Sequence, residues 1–149
     1  MSEAAGSGTV HIIDDDDAVR ESVGFLCQSA GLKAETYASP MAFLQVAPSL
    51  SGGCILTDVR MPEMDGLTLV RHLRDRAVPL PIIVMTGHGD VPMAVQAMRE
   101  GAVDFLEKPF DDEVMLGSIR DALANGGRGP RTVDGDDPTA AKLALLSER

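Results

Sequence analysis

The sequence predicts an α/β protein, a single parallel sheet with helices packed on both faces. Three observations carry this reading. Five short β-branched or apolar runs alternate with five segments of helical period, the order that successive βαβ units require. The run Pro81 to Met85 is apolar at nearly every position and does not alternate, as expected of a strand covered on both faces. The runs also end abruptly at polar residues: Asp14, Asp58, Thr86 and Lys108. Polar side chains therefore gather at the carboxyl edge of the sheet, where open α/β sheets bind ligands.

Taken in order, residues 1–8 are small and polar and are expected to be disordered. Thr9 to Ile13 is a β-branched strand, followed by the acidic run Asp14 to Asp17. Val19, Val23, Leu26, Cys27 and Ala30 then recur at helical spacing, with Gly31 as the cap. Lys33 to Ala38 is a more polar strand, placed at an edge. Ser39-Pro40 opens a helix in cap-then-proline order, Met41 to Ala47 continues it, and Pro48 ends it. The apolar run from Cys54 to Thr57 is a buried strand with Asp58 at its end. A helix follows from about Leu67 to Arg76, with Leu69, Val70 and Leu73 inward. Asp90-Val91-Pro92 opens the next helix, which runs to Gly101. Ala102 to Leu106 is the last strand, ending at Glu107-Lys108-Pro109. The last helix is capped near Asp111 or Asp112, carries Met115, Leu116, Ile119 and Leu123 on one stripe, and stops at Asn125. The domain thus covers residues 9–125, and the Gly, Pro, Asp and Thr of residues 126–142 read as a linker.

Composition narrows the classes of function. The chain of 149 residues is 44% hydrophobic and 24% charged, ordinary for a soluble domain with a tail. Its aromatic content is 3% with no Trp, so stacking platforms for bases or flat cofactors are not expected. A net charge of −10 argues against direct nucleic-acid binding and suits a domain that binds a cation or is read by a protein. Cys27 and Cys54 fall in apolar patterns and read as buried free thiols in a reducing compartment. No run approaches membrane-spanning length and no apolar signal region opens the chain, so the expected location is the cytoplasm. His11, His72 and His88 read as satisfied or solvated, and the methionines as core and loop filler.

Three carboxylates, Asp14, Asp15 and Asp58, meet in one crevice if the first and third strands are neighbours. They repel unless protonated or neutralised, and hard oxygen ligands at an open site suit Mg²⁺. Asp16 and Asp17 read as a solvated helix start. Thr86 can donate its hydroxyl at the same edge, and Lys108 points into an acidic crevice.

The wording Asp58-Val59-Arg60-Met61-Pro62-Glu63-Met64-Asp65-Gly66 resembles the phosphoacceptor loop of response-regulator receiver domains. With Asp14-Asp15, Thr86-Gly87 and Lys108-Pro109, the resemblance spans roughly residues 10–123. The stretches from Thr86 to Val95 and from Gly101 to Phe110 look most like FixJ-type receivers, which are typically joined to a LuxR-type DNA-binding domain. The ending Leu-Ser-Glu-Arg of residues 143–149 resembles the first residues of such a helix-turn-helix domain; an ordinary tail is the alternative.

The resemblance implies the flavodoxin-like (βα)₅ fold with strand order 2-1-3-4-5, which right-handed crossovers also permit. It implies that Asp58 accepts a phosphoryl group from a histidine kinase. Mg²⁺, with Mn²⁺ or Ca²⁺ as substitutes, is implied on Asp15, Asp58 and the backbone carbonyl of Arg60, with Asp14 assisting through water. Lys108 pairs with the phosphoryl group, Thr86 bonds to it, Phe105 is the responding aromatic, and Lys108-Pro109 is a cis peptide. Arg60 replaces the Asn of many receivers, and Phe105 lacks the hydroxyl of the commoner Tyr, so that switch works by packing. Beyond its own phosphoryl transfer and slow dephosphorylation, no enzyme activity is expected. The expected readout is a homodimer through Val95, Arg99 and Asp104, with Met98 more inclined to pack on the sheet. DNA would be met only through an output domain.

Three rival classes fit the residues less well. A flavodoxin-like electron carrier would want a Gly/Ser/Thr phosphate loop where Asp14-Asp15 stand. An aspartyl phosphatase would want a second Asp where Arg60 stands. A receiver that no longer takes phosphate would lack some acceptor residue, and all are present.

Overall fold

The structure, a computed structural model, describes residues 9–124 apart from residues 51 and 88. The expected disordered start, the linker, the tail and His88 lie outside the described residues. Strands β1 (Thr9–Ile13), β2 (Lys33–Tyr37), β3 (Cys54–Asp58), β4 (Ile82–Thr86) and β5 (Asp104–Glu107) alternate with helices α1 (Asp17–Ser29), α2 (Pro40–Val46), α3 (Gly66–Asp75), α4 (Val91–Glu100) and α5 (Asp112–Ala124). The sheet is five-stranded in the order β2-β1-β3-β4-β5, with parallel pairing throughout. The more polar β2 lies at an edge, as its composition predicts.

The period of two along each strand divides the core. Ile13, Ile55, Ile82 and Val84 face one side, against Phe43 and Leu44 of α2, Leu69, Val70 and Leu73 of α3, and Ala97 of α4. Val10, Ile12, Leu56, Ile83 and Met85 face the other, against Val23 and Cys27 of α1 and Met115 and Ile119 of α5. Full burial of each large side chain contributes about 1.5–3 kcal/mol. The buried residues of α4 are only Ala94 and Ala97, so that helix is anchored by small contacts.

Several expectations are corrected. The α-helix after Ser39 ends at Val46, and Pro48 sits inside a 3₁₀ turn, Ala47–Ser49. Proline cannot donate to an α-helical carbonyl but fits the first positions of a new turn. The last strand starts at Asp104, because Gly101 at φ 126° and the bond from Ala102 N–H to the Ala97 carbonyl close α4 first. On α5, by contrast, Met115, Leu116, Ile119 and Leu123 all pack on one core as expected, and Ala122 joins them. Met98 does not pack on the sheet: it is 38% exposed, close to the 42% of Val95.

Both cysteines are free and buried. Burial pushes the Cys27 thiol up to about 11, and burial with Cys27 nearby pushes Cys54 up to about 12. They are inert core residues.

His11 is a buried histidine in the middle of the sheet, 2% exposed. Its Nδ1 lies 3.1 Å from the Tyr37 hydroxyl, and its ring packs beside Tyr37 and Phe43. Nε2 faces the Gly52-Gly53 backbone without a hydrogen bond of good geometry. Burial holds its pKa below the ordinary histidine value. The unfolded chain therefore binds the proton more readily, and the stability that neutral His11 contributes is lost as pH falls below about 6.5. Urea denaturation at pH 7.5 and 5.5 is expected to show wild type losing about 1 kcal/mol more than His11→Phe. Equal losses would contradict this.

Candidate functional site

The site is assembled by strand ends. Past β1, the Asp14 amide donates to the Tyr37 carbonyl at 3.2 Å; past β3, the Val59 amide donates to the Met85 carbonyl at 3.0 Å; past β5, the Lys108 amide donates to the Thr86 carbonyl at 2.7 Å. Strands β1, β3 and β5 thus continue their ladders one step beyond their last residues, which fixes the side chains at the carboxyl edge. Asp14, Asp15 and Asp58 are brought together: one carboxylate oxygen of each lies within 4.8 Å of the others. Asp14 is fully buried, Asp58 is 9% exposed, and Asp15 is exposed on the open side.

The Lys108 ammonium reaches in from β5. Its Nζ lies 3.4 Å from Asp14 Oδ2 and 3.5 Å from Asp58 Oδ1. Asp14 is further tied by the Asp16 amide on Oδ1 at 2.9 Å, and its backbone carbonyl accepts from Arg20 at 2.6 Å. Asp16 itself caps α1 through the Ala18 and Val19 amides, as a helix start should. Desolvation, then the nearby Asp14, holds the Asp58 carboxyl above the ordinary range, and Lys108 opposes both. Charge in this crevice is therefore only partly offset by Lys108. The donor set of hard oxygens around an open side fits a small divalent cation, which would bind Asp15 and Asp58 and supply the missing positive charge.

The remaining expected residues are placed as follows. Thr86 is buried, and its hydroxyl donates to the Leu106 carbonyl at 3.4 Å, so it is turned toward β5. Phe105 is half-buried against the core that contains α3 and α4. Lys108-Pro109 is cis. On the α4–β5 side, Val91, Val95 and Met98 form an exposed apolar stripe at 40, 42 and 38% exposure. Arg99 is exposed, but Asp104 is half-buried, with its carboxylate accepting from Ser118 of α5 at 2.5 Å.

Two residues escaped the sequence reading. Gly66 starts α3 against the backbone of Asp58, and a Cβ there would lie 2.5 Å from the Asp58 carbonyl oxygen. Asp90, read only as a helix opener, holds the Arg60 guanidinium in a two-point fork. The only available signal for Gly66 was its place directly after Asp65; none pointed to the Arg60–Asp90 pair.

A five-stranded flavodoxin-like sheet with this acidic crevice and its lysine defines a receiver of two-component signalling, and the chain belongs to the response regulator receiver domain family, whose signature matches residues 10–120. Within that family it is similar to FixJ-type transcriptional regulators. It is 49% identical over 140 residues to the transcriptional regulatory protein FixJ of Azorhizobium caulinodans, covering 94% of this chain and 66% of that one. It is 44% identical over 142 residues to FixJ of Bradyrhizobium diazoefficiens, covering 95% of this chain and 69% of that protein. The crystal structure of FixJ-N superposes with a TM-score of 0.77 at 47% identity, over 83% of this chain and 96% of that one. The chain spans about two thirds of the length of these two curated relatives. Among the described residues no helix is long and apolar enough to cross a membrane.

Proposed function

We propose that this receiver accepts a phosphoryl group on Asp58 from a histidine kinase and uses it to switch self-association, which in turn controls a DNA-binding output domain. The carrying observation is the position of Lys108 Nζ, 3.4 and 3.5 Å from Asp14 and Asp58 at the mouth of a three-carboxylate crevice. Phosphoryl transfer needs positioning and charge neutralisation more than covalent machinery. An Asp58 carboxylate oxygen attacks the phosphorus while the bond to the donor imidazole nitrogen breaks. Lys108 offsets charge on the transferring oxygens. Asp15, Asp58 and the Arg60 carbonyl would hold Mg²⁺, with Asp14 behind them; the cation supplies further neutralisation. Thr86 exchanges its long 3.4 Å bond to Leu106 for a phosphoryl oxygen, and Phe105 follows by packing. A groove of 330 Å³ lined by Ala18, Val19, Val23, Lys108, Pro109 and Phe110 adjoins the site and suits the donor protein.

Incubation with acetyl phosphate and Mg²⁺ is expected to add one phosphoryl mass, and chelation with EDTA to prevent it. Uptake that is equal with EDTA would contradict the reading.

Val91, Val95 and Met98 support a dimer through α4 and β5, where one apolar stripe meets its copy across a two-fold axis. A near-complete switch needs roughly 5 kcal/mol of differential stabilisation, which charge-assisted bonds at two phosphoryl sites supply in order of magnitude. Val95→Asp places two like charges at that axis. It is expected to weaken phospho-dependent dimerisation about a hundredfold by sedimentation. Unaltered dimerisation would place the interface on another face.

A further inference from the structure

We infer that Asp90 is a positioning residue of the switch: paired with Arg60 it holds the start of α4 in the resting arrangement, and a phosphoryl group on Asp58 draws Arg60 away and frees Asp90 to cap α4. This rests on the reading of Asp58 as the phosphoacceptor.

Arg60 follows Asp58 by two residues, yet its guanidinium reaches the next loop. Its Nε donates to Asp90 Oδ2 at 2.9 Å and its Nη2 donates to Oδ1 at 2.8 Å. Parallel two-point pairing of this kind fixes geometry as well as charge. The Arg60 side chain is 68% exposed and the Asp90 side chain 15% exposed, so the fork closes over the loop from outside.

Asp90 stands at the N-cap position of α4 but makes no side-chain cap bond, and its φ and ψ of −98° and 20° are not the extended cap conformation. The contrast lies within the chain: Asp16, Ser39 and Asp65 are extended and cap α1, α2 and α3 with their side chains. Pro92 has no N–H to offer, so the cap donor within reach is the Met93 amide, which bonds the Asp90 backbone carbonyl at 3.0 Å. The Asp90 carboxylate, which also meets the Gly87 backbone amide, is thus spent on Arg60 rather than on the end of its own helix.

Phosphorylation changes which one wins. Arg60 stands two residues past Asp58, and its guanidinium, which donates to Asp90, is held charged by Asp90 first and by Asp65 and Asp58 after it. A phosphoryl group brings about −2 charge and three acceptor oxygens to that side of the competition. Losing Arg60 releases Asp90, at the start of α4 and four residues past Thr86. Helix α4 is anchored through Ala94 and Ala97, with Met93 partly buried on the same core, and can then shift at its exposed first turn.

The test is amide hydrogen exchange at Gly89 and Met93, read on resting and phosphorylated protein, with Asp90→Ser and Asp90→Ala. Serine caps a helix but cannot hold Arg60; alanine does neither. Resting Asp90→Ser is expected to reproduce the phosphorylated wild type, with exchange at Met93 slowed about fivefold, the scale of one helix cap, and exchange at Gly89 accelerated. Asp90→Ala is expected to show the Gly89 change without the Met93 gain. The inference is overturned if resting Asp90→Ser exchanges like resting wild type. It is also overturned if wild type carrying the phosphoryl mass on Asp58 shows no slowing at Met93. Failure of wild type to gain that mass is a failure of the phosphoacceptor reading, and the resting-state comparison still decides the role of the Arg60–Asp90 pair.

Discussion

Asp58→Asn is expected to abolish phosphoryl uptake and, at neutral pH, to make the domain more stable. Asp58 ends its strand with a nearly buried carboxylate that keeps some exposure and has Lys108 at 3.5 Å. Asp14 is buried with both oxygens engaged, and Asp15 is exposed. The stability effect follows from the raised carboxyl pKa. Folding there favours the protonated form, so ionisation costs stability, beginning as pH rises through the ordinary Asp value of about 3.9 and complete above the folded value. Asparagine removes that cost, by roughly 1 kcal/mol at pH 7, the scale of relieving one unfavourable charge. The gain should vanish below about pH 3.5, where both forms are neutral, and shrink in excess Mg²⁺. Intact mass after acetyl phosphate checks the first half and urea denaturation the second. Uptake at the wild-type rate would refute the assignment of Asp58, and a variant less stable than wild type at pH 7 would refute the electrostatic account.

The second large effect is expected at Gly66. A Cβ there meets the Asp58 carbonyl oxygen at 2.5 Å and the Val59 Cα at 2.9 Å. Both are backbone atoms at the end of a central strand, so the start of α3 must move instead. That start is pinned by the Gly66 amide donating to the Val59 carbonyl at 2.7 Å and by Asp65 accepting from the Thr68 amide at 2.8 Å. Gly66→Ala is expected to cost about 3 kcal/mol, the upper range for overpacking. It should also slow phosphorylation by acetyl phosphate at least about tenfold, because the Asp58 peptide shifts with it. Gly117 in α5 is the control: a Cβ there meets nothing within 4 Å. Gly117→Ala is expected to stabilise by about 0.5–1 kcal/mol. Equal stability changes for the two variants would show that the close approach is not what Gly66 is for.

The receiver fold and most of its site were legible because they are written in local patterns. Period two and period 3.6 mark strands and helices whatever surrounds them, and Asp16, Ser39 and Asp65 cap helices within three residues of themselves. A parallel sheet then carries every strand end to one edge, so naming the last residues of the strands already names Asp14, Asp58, Thr86 and Lys108 as neighbours.

Orientation and partner choice were not legible. Thr86 lies where expected, but its hydroxyl faces Leu106, because a buried donor takes the acceptor at hand. Asp104 spends its charge on Ser118, a residue one element away, and Met98 stays exposed because Ala94 and Ala97 already fill the space between α4 and the sheet. The Arg60–Asp90 fork joins residues separated by 30 positions, and the close approach of Gly66 depends on how tightly α3 returns over β3. Sequence by itself determined the class of fold and which side chains share the carboxyl edge, since both follow from periodicity and parallel connection. Only the tertiary structure decided which donor meets which acceptor there, since a hydrogen bond forms or fails within a few tenths of an ångström, a distance set by packing from several elements at once.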